Sequence, residues 1–457
     1  MKFVNHLFMV GVSVLVLLSS CKKNDLSASN TAVTPSDSSA VNAIKDSALY
    51  YARDIYLWYN QIPSAFNAHS YADPSAIMTA IRQYSNETGF TQPVDRWSFG
   101  MNQQDWNNLS SGVSADFGLN VFFLKEGDLR VKSVESASPA GIAGVRRGWR
   151  ITGINDNTDI TTANASFIIQ NIYQSKTATV TFQKPDSSVI SLNLVSASYQ
   201  EHPVILDSVY SVNAKTIGYL SFNSFLGDTT EIYNQFARVF NKFTAANVND
   251  VIVDLRYNGG GYVSVAQKLV DYLAPSSASG GLMMTQKYND KYTQYNESTS
   301  IQKAGSLNLG RIFFIVSQGT ASASELVINN LKPYMNVQLV GPSKTYGKPV
   351  GFFPIPVGNW YIFPVSFRSA NKNGEGNYFN GLALNSQVPD GLDKDWGDLN
   401  ESDLSNTISY ITTGVYKMQV QAKNSVGLQV PAEVSKGNSL LDQSVFKGMI
   451  SPVKRIR

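Results

Sequence analysis

Residues 250–261 read DVIVDLRYNGGG, and this stretch decides how the central part of the chain is expected to fold. The run DVIVDLR is short and mostly apolar, which is typical of a buried strand, and a helical pattern begins near Val263. The glycines between them permit positive φ angles and a close approach of the backbone to a ligand. They favour either a tight turn or an anion-binding site built from backbone N–H groups. A phosphate-binding loop is not indicated, because no Gly-Lys-Ser/Thr follows the turn.

The same alternation of strand and helix continues on both sides of this turn. Over residues 199–414, apolar runs of strand length alternate with segments of helical periodicity, as in TIGYLSF, EIYNQFARVFNKF, RIFFIV and ASELVINNLKPY. Strands that alternate with helices form a sheet that is buried on both faces and at least partly parallel. The sequence therefore predicts an α/β core in this range.

Three other regions differ in character, so the expected fold class is α/β and β multidomain. Residues 43–112 carry apolar and aromatic residues at helix-like spacing and are predicted to form a helical N-terminal domain. Residues 113–198 hold short β-rich runs with turn signals between them, which predicts a β domain. Residues 415–457 show no strong periodicity and are interpreted as a C-terminal extension, either on the surface or as a short docking segment.

The composition excludes several classes of function. The chain has 457 residues, and its 37 Lys and Arg against 34 Asp and Glu leave no electrostatic footprint for nucleic acid. A single cysteine rules out an intramolecular disulfide and a thiolate metal cluster. One of the three histidines, His6, lies at the very N-terminus, so a zinc site made of several histidines is not expected. We therefore expect no metal centre.

The first 20 residues, MKFVNHLFMVGVSVLVLLSS, have the features of a secretory signal peptide. The apolar run from Leu7 to Leu18 is too short to span a bilayer comfortably. It leads into Leu-Ser-Ser-Cys21, which resembles the lipobox of bacterial lipoproteins, and the resemblance implies that Cys21 carries the lipid. The alternatives are an ordinary cleaved signal, or a membrane anchor with an incidental cysteine. Residues 21–42 are polar and predict a flexible tether to a membrane of the cell envelope, on the periplasmic side or at the cell surface.

Residues 320–325, TASASE, stand between the apolar run RIFFIV and a helical pattern. Ser322 and Glu325 fit the capping-box pattern, in which the serine caps the helix and the glutamate reaches back. The same geometry exposes a hydroxyl where free N–H groups and the helix dipole stabilise negative charge. Ser322 is therefore interpreted either as a helix cap or as a nucleophile with the N–H of Ala323 as half of an oxyanion hole.

A nucleophilic serine needs a base. His69 and His202 lie in no recognisable catalytic context, so a Ser-His-Asp triad is not expected. Lys348, in TYGKPVGFFPIPV, is flanked by apolar and aromatic residues, and burial among them would lower its pKa toward that of a base. A lysine in a glycine-containing loop is otherwise usually solvated.

Three motifs in this order, DLRYNGGG, TASASE and GPSKTYGK, resemble those of the carboxyl-terminal processing peptidases. The resemblance implies a serine peptidase with a Ser-Lys dyad that needs no metal and no cofactor. Ser322 falls on the position of the family's nucleophile, and Lys348 falls on that of its base. Gly260 and Ala323 match the oxyanion-hole positions, with Gly259 beside them. The later pair Pro389-Asp390 also matches a family segment.

The segment SPAGIAGVRRGWRITGIN, residues 138–155, resembles part of a PDZ domain, a module that commonly precedes the catalytic core in this family. The resemblance implies that the backbone N–H groups of Gly118, Leu119 and Asn120 bind the C-terminal carboxylate of a peptide. Such a peptide would add as a strand to the sheet edge, and the substrates would be polypeptides recognised through their C-termini. The alternative is a packing module whose groove is unused.

Two departures from the family pattern concern the base. Phe352 stands where a glutamine often orients the lysine, and the segment before Lys348 is longer than usual, which makes Lys344 a rival. The leading hypothesis is a lipid-anchored serine endopeptidase. The rival hypotheses are a peptide-binding lipoprotein that has lost the support of its base, and a surface protein that handles sugars or lipids in nutrient uptake.

Overall fold

The N-terminal part of the chain is helical. The computed structural model describes residues 35–417, 432–442 and 446–454. The elements of the N-terminal part are α1 (Pro35–Ile55), α2 (Pro74–Ile81), β1 (Phe99–Asn102) and α3 (Gln103–Ser111). Helix α2 has a proline at its first position and is capped by Asp73, whose carboxylate accepts from the N–H of Ala76 at 2.8 Å. Helix α1 begins at Pro35, inside the segment 21–42 that the sequence predicts to be a tether.

The predicted lipid anchor cannot be placed on the structure. Cys21 and residues 1–20 lie outside the described residues, so lipidation stays a prediction from the sequence. Within the described ranges, none of the helices combines the length and apolar character that crossing a bilayer requires.

Residues 113–200 form a β domain with its own hydrophobic core. Strands β3 to β7 make an antiparallel sheet in that order, so β3 is an edge strand of the sheet. Strands β2 and β8 pair separately and antiparallel. The elements are β2 (Val113–Asp116), β3 (Leu119–Lys125), β4 (Asp128–Val134), α4 (Pro139–Ile142), β5 (Arg150–Ile154), α5 (Ala165–Ile169), β6 (Thr177–Gln183), β7 (Val189–Val195) and β8 (Ala197–Gln200).

The following part of the chain is an α/β core. Its elements are β9 (Val204–Val212), β10 (Lys215–Phe222), α6 (Thr229–Ala245), β11 (Asp250–Asp254), β12 (Gly260–Tyr262), α7 (Val263–Leu273), β13 (Leu282–Tyr288), β14 (Glu297–Ser300), β15 (Arg311–Ile315), α8 (Ala323–Leu331), β16 (Asn336–Gly341), β17 (Val350–Gly351), β18 (Ile355–Val357), β19 (Trp360–Phe363), β20 (Phe367–Asn371), β21 (Ser386–Gln387) and α9 (Ser402–Thr413). A six-stranded sheet has the order β21-β16-β15-β11-β10-β9. All of its pairs are parallel except β9 with β10, which confirms the predicted partly parallel sheet.

The parallel pairing of β11 with β15 positions the site. Asp254 lies opposite Ile315, so both strands end at the same edge of the sheet. The glycine turn that follows β11 and the TASASE loop that follows β15 therefore meet there. Each loop leads into a helix, α7 or α8, and the free N–H groups of these helix starts lie at this edge.

The C-terminal residues that the structure describes dock on the core, which is the second of the two interpretations of residues 415–457. They form α10 (Ala432–Leu441) and β22 (Gly448–Ile450), and β22 pairs in parallel with β12. All three residues of β22 are buried. Strand propensity alone did not reveal this segment in the sequence, because a three-residue strand gives no periodicity and depends on its partner.

Arg256, two residues after the end of β11, anchors the β domain to the core. Its buried guanidinium donates hydrogen bonds to four carboxylates, those of Asp254, Asp390, Glu401 and Asp403. Asp390 also accepts from Arg147 of the β domain at 2.8 Å. The cluster of Asp390, Glu401 and Asp403 has the donor set of a metal site, but the guanidinium of Arg256 already fills it.

Candidate active site

Ser322 stands at the N-terminal end of α8 in a strained backbone conformation. Its φ of +60° lies in a region that serine rarely adopts. The loop is held to the glycine turn by Asn258, whose carbonyl accepts from the N–H of Ala321 at 3.0 Å and from the hydroxyl of Ser324 at 2.9 Å. The Oγ of Ser322 is buried and has no hydrogen-bond partner in the described part of the chain. An unpaired buried hydroxyl costs free energy, so its position calls for a chemical role.

Glu325, on the first turn of α8, joins this loop to the loop of Lys348. Its Oε2 accepts from the backbone N–H groups of Ser322 and Lys348, each at 2.8 Å. Its Oε1 accepts from the N–H of Gly347 at 2.7 Å and from the hydroxyl of Thr345 at 2.5 Å. Burial raises the pKa of Glu325, and these four donors counteract part of that effect. One carboxylate therefore places the two loops side by side.

Lys348 is fully buried, whereas its rival Lys344 is exposed. Burial lowers the pKa of Lys348 well below its usual value, and the negative charges of Asp95 and Glu325 offset only part of this. The Nζ lies 3.8 Å from the centre of the Phe352 ring, in the position of a cation–π contact. It donates to the carbonyl of Lys447 at 2.8 Å.

In the structure, the backbone N–H groups of Ser322 and Lys348, the two residues of the predicted dyad, donate to one carboxylate, but their side chains are not joined by a hydrogen bond. The Oγ of Ser322 is unpaired, and the Nζ of Lys348 bonds the chain's own C-terminal segment. The two histidines of the described residues are engaged elsewhere, His69 with Asp46 at 2.8 Å and His202 with Glu231 at 2.6 Å. Lysine is thus the base that this arrangement can offer.

The glycine turn lies beside the start of α8. A Cβ placed on Gly260 would lie 3.0 Å from the nitrogen of Ala323, so the two predicted oxyanion positions are neighbours. Ala323 is the first residue of α8, where an N–H has no partner within the helix. The N–H of Gly260, however, donates to the Oδ1 of Asn258 at 2.9 Å and is not free in this conformation. Gly259 lines a cavity of about 280 Å³ together with Gly260.

The predicted carboxylate-binding loop lines the same cavity. Gly118, Leu119 and Asn120 face it together with the glycine turn. The N–H of Gly118 donates to Asp116 at 2.7 Å, so one of the predicted donors is engaged by the chain's own carboxylate. Burial and the nearby Glu201 raise the pKa of Glu135, which also lines the cavity, to about 7.

The sequence did not reveal the structural roles of two residues, Glu325 and Asn438. Glu325 was visible only as a helix-capping residue, because its bonds to Gly347 and Lys348 depend on a loop that is distant in sequence. Asn438 of α10 bonds both the N–H and the carbonyl of Phe123 on edge strand β3, and no motif marks it.

We expect the substitution Glu325→Gln to lower the free energy of unfolding by about 2–4 kcal/mol, because an amide NH₂ would face backbone donors in place of one oxygen. Glu433→Gln, on an exposed position of α10, is the control and should change stability by less than about 0.5 kcal/mol. Urea unfolding of the three proteins measures the difference. Equal stability of all three would show that the carboxylate does not hold the loops.

The chain is similar in sequence to known serine peptidases. Residues 216–379 match peptidase family S41, and residues 44–99 match the peptidase S41 N-terminal domain. A CtpA-like serine protease of Staphylococcus aureus is 24% identical over 258 residues, which are 56% of this chain and 49% of that protein. Its counterpart in Staphylococcus epidermidis is 23% identical over 257 residues. The chain therefore spans about half the length of the curated relatives it matches.

A solved structure agrees with the fold. The crystal structure of a Bacteroides fragilis protein described as an S41 protease superposes with a TM-score of 0.65, at 24% identity. The match covers 80% of this chain and 96% of that one, and at this identity it shows the fold alone. With the motifs DLRYNGGG, TASASE and GPSKTYGK in place, and with two segments of the chain matching domains of peptidase family S41, the resemblance to the carboxyl-terminal processing peptidases is confirmed.

Proposed function

We propose that the protein is a serine endopeptidase with Ser322 as nucleophile and Lys348 as general base. The observation that carries the proposal is the buried, unpaired Oγ of Ser322 beside a fully buried lysine, with both backbones bonded to Glu325. The lowered pKa of Lys348 favours its neutral form, which can accept a proton. The match of residues 216–379 to peptidase family S41 supports the same chemistry.

In the reaction, the Nζ of Lys348 leaves the carbonyl of Lys447 and accepts the proton of Ser322. The Oγ attacks the carbonyl carbon of the scissile peptide bond, and the oxyanion forms at the N-terminal end of α8. The N–H of Ala323 is one donor to it. The N–H of Gly260 becomes the second donor by exchanging its bond to Asn258 for the oxyanion. The proton passes to the leaving amine, and water then hydrolyses the acyl-enzyme.

Substrates are proposed to be polypeptides recognised through their C-termini at the β domain. The cavity of about 280 Å³ that the loop Gly118–Asn120 shares with the glycine turn supports this, because it connects the two predicted sites. Lys132 lines the same cavity and supplies a positive charge for a carboxylate. Asp116 must release the N–H of Gly118 for the substrate to take its place.

A peptide-binding lipoprotein without catalysis is the second candidate. The ring of Phe352 gives Lys348 no hydrogen-bond acceptor, and Ser322 and Lys348 are not bonded to each other. Both facts are compatible with a site that has lost its activity.

The first experiment is cleavage of casein, an unstructured polypeptide, by the full-length protein. We expect Ser322→Ala and Lys348→Met each to reduce the rate at least about a hundredfold. The matched controls are Ser306→Ala and Lys344→Met, both at exposed positions, and they should retain the rate. Unchanged cleavage by Ser322→Ala would refute the nucleophile. No cleavage by the wild type, with casein still bound, would favour the second candidate.

The pH dependence tests the base separately. Because the neutral form of Lys348 is the reactive one, kcat should rise with pH and level off below the ordinary lysine pKa of about 10.4. Glu135, with a pKa raised to about 7 by burial, titrates in the cavity and should affect KM instead. The rise in kcat should therefore persist in Glu135→Gln. A kcat that falls with rising pH would contradict a lysine base.

We further propose that the protein is attached to a membrane through lipidated Cys21. The support is the lipobox-like stretch before the single cysteine of the chain. Expression of Cys21→Ser in a bacterial host, followed by fractionation, should move the protein from the membrane pellet to the soluble fraction. Persistence of the variant in the pellet would argue for an uncleaved anchor instead.

A further inference from the structure

The C-terminal segment 446–451 lies in the cleft between the glycine turn and Phe352. On one side its strand β22 pairs in parallel with β12, with Gly448 opposite Gly260, and the N–H of Gly448 donates to the carbonyl of Gly259 at 2.9 Å. On the other side, the N–H of Phe352 donates to the carbonyl of Met449 at 3.0 Å. The segment is therefore held on both edges as an extended peptide.

Two successive carbonyls of this segment point at the proposed catalytic groups. That of Lys447 accepts from the Nζ of Lys348 at 2.8 Å. That of Gly448 would lie 2.2 Å from a Cβ placed on Gly260, and the nitrogen of Ala323 would lie 3.0 Å from the same Cβ. Glycine at position 260 thus leaves room for a peptide carbonyl next to the oxyanion donors.

The side chain of Phe446 enters an aromatic pocket. Its ring centre lies 6.2 Å from that of Phe99, 5.8 Å from that of Trp106 and 6.4 Å from that of Phe352. The same side chain lines the cavity of about 280 Å³ and a second one of about 880 Å³. A Cβ on Gly448 would meet the Phe446 ring at 2.0 Å, so this arrangement requires a glycine two positions after the aromatic residue.

The residues before this segment, in α10 and just after it, contact the β domain at places where a peptide ligand would bind. Asn438 of α10 accepts from the N–H of Phe123 at 2.7 Å and donates to its carbonyl at 2.9 Å, which are the bonds that an added strand would make with β3. Asp442 pairs with Lys132 at 3.3 Å and so holds the positive charge that lines the smaller cavity.

We propose that segment 446–451 is a pseudosubstrate, that is, an internal ligand of the substrate cleft, and that the cleft binds an extended peptide with an aromatic residue followed two positions later by glycine. The proposal rests on the proposed function for the meaning of the cleft, and it adds the substrate class and the state of the free enzyme. In that state segment 446–451, called the tail below, lies beside the glycine turn and occupies Lys348. Substrate must displace the tail to bind.

The test measures binding without catalysis, in full-length protein that carries Ser322→Ala. The probe is a fluorescein-labelled synthetic peptide, FKGMISPVK, which copies residues 446–454. Phe446→Ala weakens the internal ligand, so we expect the probe to bind this variant at least about tenfold more tightly than the parent. Val453→Ala, at an exposed position two residues after the segment, is the matched control and should bind as the parent does.

Two further measurements complete the test. Asp442→Asn removes the ion pair with Lys132 and leaves the aromatic pocket of Phe446 unchanged, so it should also tighten binding of the probe. This variant keeps the test valid if Phe446→Ala does not fold. A probe in which alanine replaces the phenylalanine should bind Phe446→Ala at least about tenfold more weakly. Equal probe affinity of the parent and both folded variants would overturn the pseudosubstrate.

The outcome is separable from that of the proposed function. Tighter probe binding by the variants, together with no casein cleavage by the wild type or by Phe446→Ala and Asp442→Asn in protein that keeps Ser322, would refute the peptidase and leave the internal ligand established. Cleavage by the wild type with unchanged probe binding would refute only the internal ligand.

Discussion

The buried carboxylate of Glu325 is the interaction on which the site depends. A carboxylate can be removed from water only where donors replace the solvent, and four donors from two loops do so. Two of them are the N–H groups of Ser322 and Lys348. The hydrogen bonds that allow the carboxylate to be buried are consequently the same ones that bring these two residues together. The positive φ of Ser322 persists because the fold holds its N–H against this acceptor.

The same low-dielectric surroundings determine the chemistry of Lys348. Loss of solvent lowers its pKa, and the ring of Phe352 provides an apolar wall together with a face that attracts the ammonium form. A glutamine in that position would accept a hydrogen bond and fix the direction of Nζ. A ring face attracts the ammonium but offers no lone pair, so the nearest acceptor sets the direction of Nζ. In this structure that acceptor is the carbonyl of Lys447.

The parts of the fold that the sequence predicted are those determined within a short window of residues. The apolar runs of β11 and β15, the glycine turn and the Ser322–Glu325 spacing carry their own local signals, and the parallel sheet follows from their alternation. The dyad positions came from motif resemblance, since loops so far apart in sequence give no local sign of meeting. Family likeness marked Asp390, but only the structure shows its bonds to Arg147 and Arg256.

The C-terminal segment could not be placed from its sequence for a related reason. Helix α10 contains few apolar residues, and Val434 and Leu441 are buried only because the β domain supplies the other half of their contacts. Strand β22 has three residues, and its hydrogen bonds exist only against β12 and Phe352. A segment whose structure is defined by the surface that it covers leaves no periodic pattern. The sequence therefore left residues 415–457 open between a surface extension and a docking segment, and the described part of them docks.

The covalent link between α10 and segment 446–451 strengthens the binding of this segment to the cleft. Each part alone makes few bonds, but α10 on the edge of β3 keeps the following residues close to the cleft, so their binding is intramolecular and their effective concentration is high. A polypeptide that adds to β3 competes with Asn438, and once α10 leaves, segment 446–451 loses that advantage. In the proposed function, occupation of the β domain by substrate and opening of the cleft are therefore coupled through residues 432–451. Such coupling needs no change in the core itself, because the free energy that holds the tail in the cleft depends on the contact that the substrate removes.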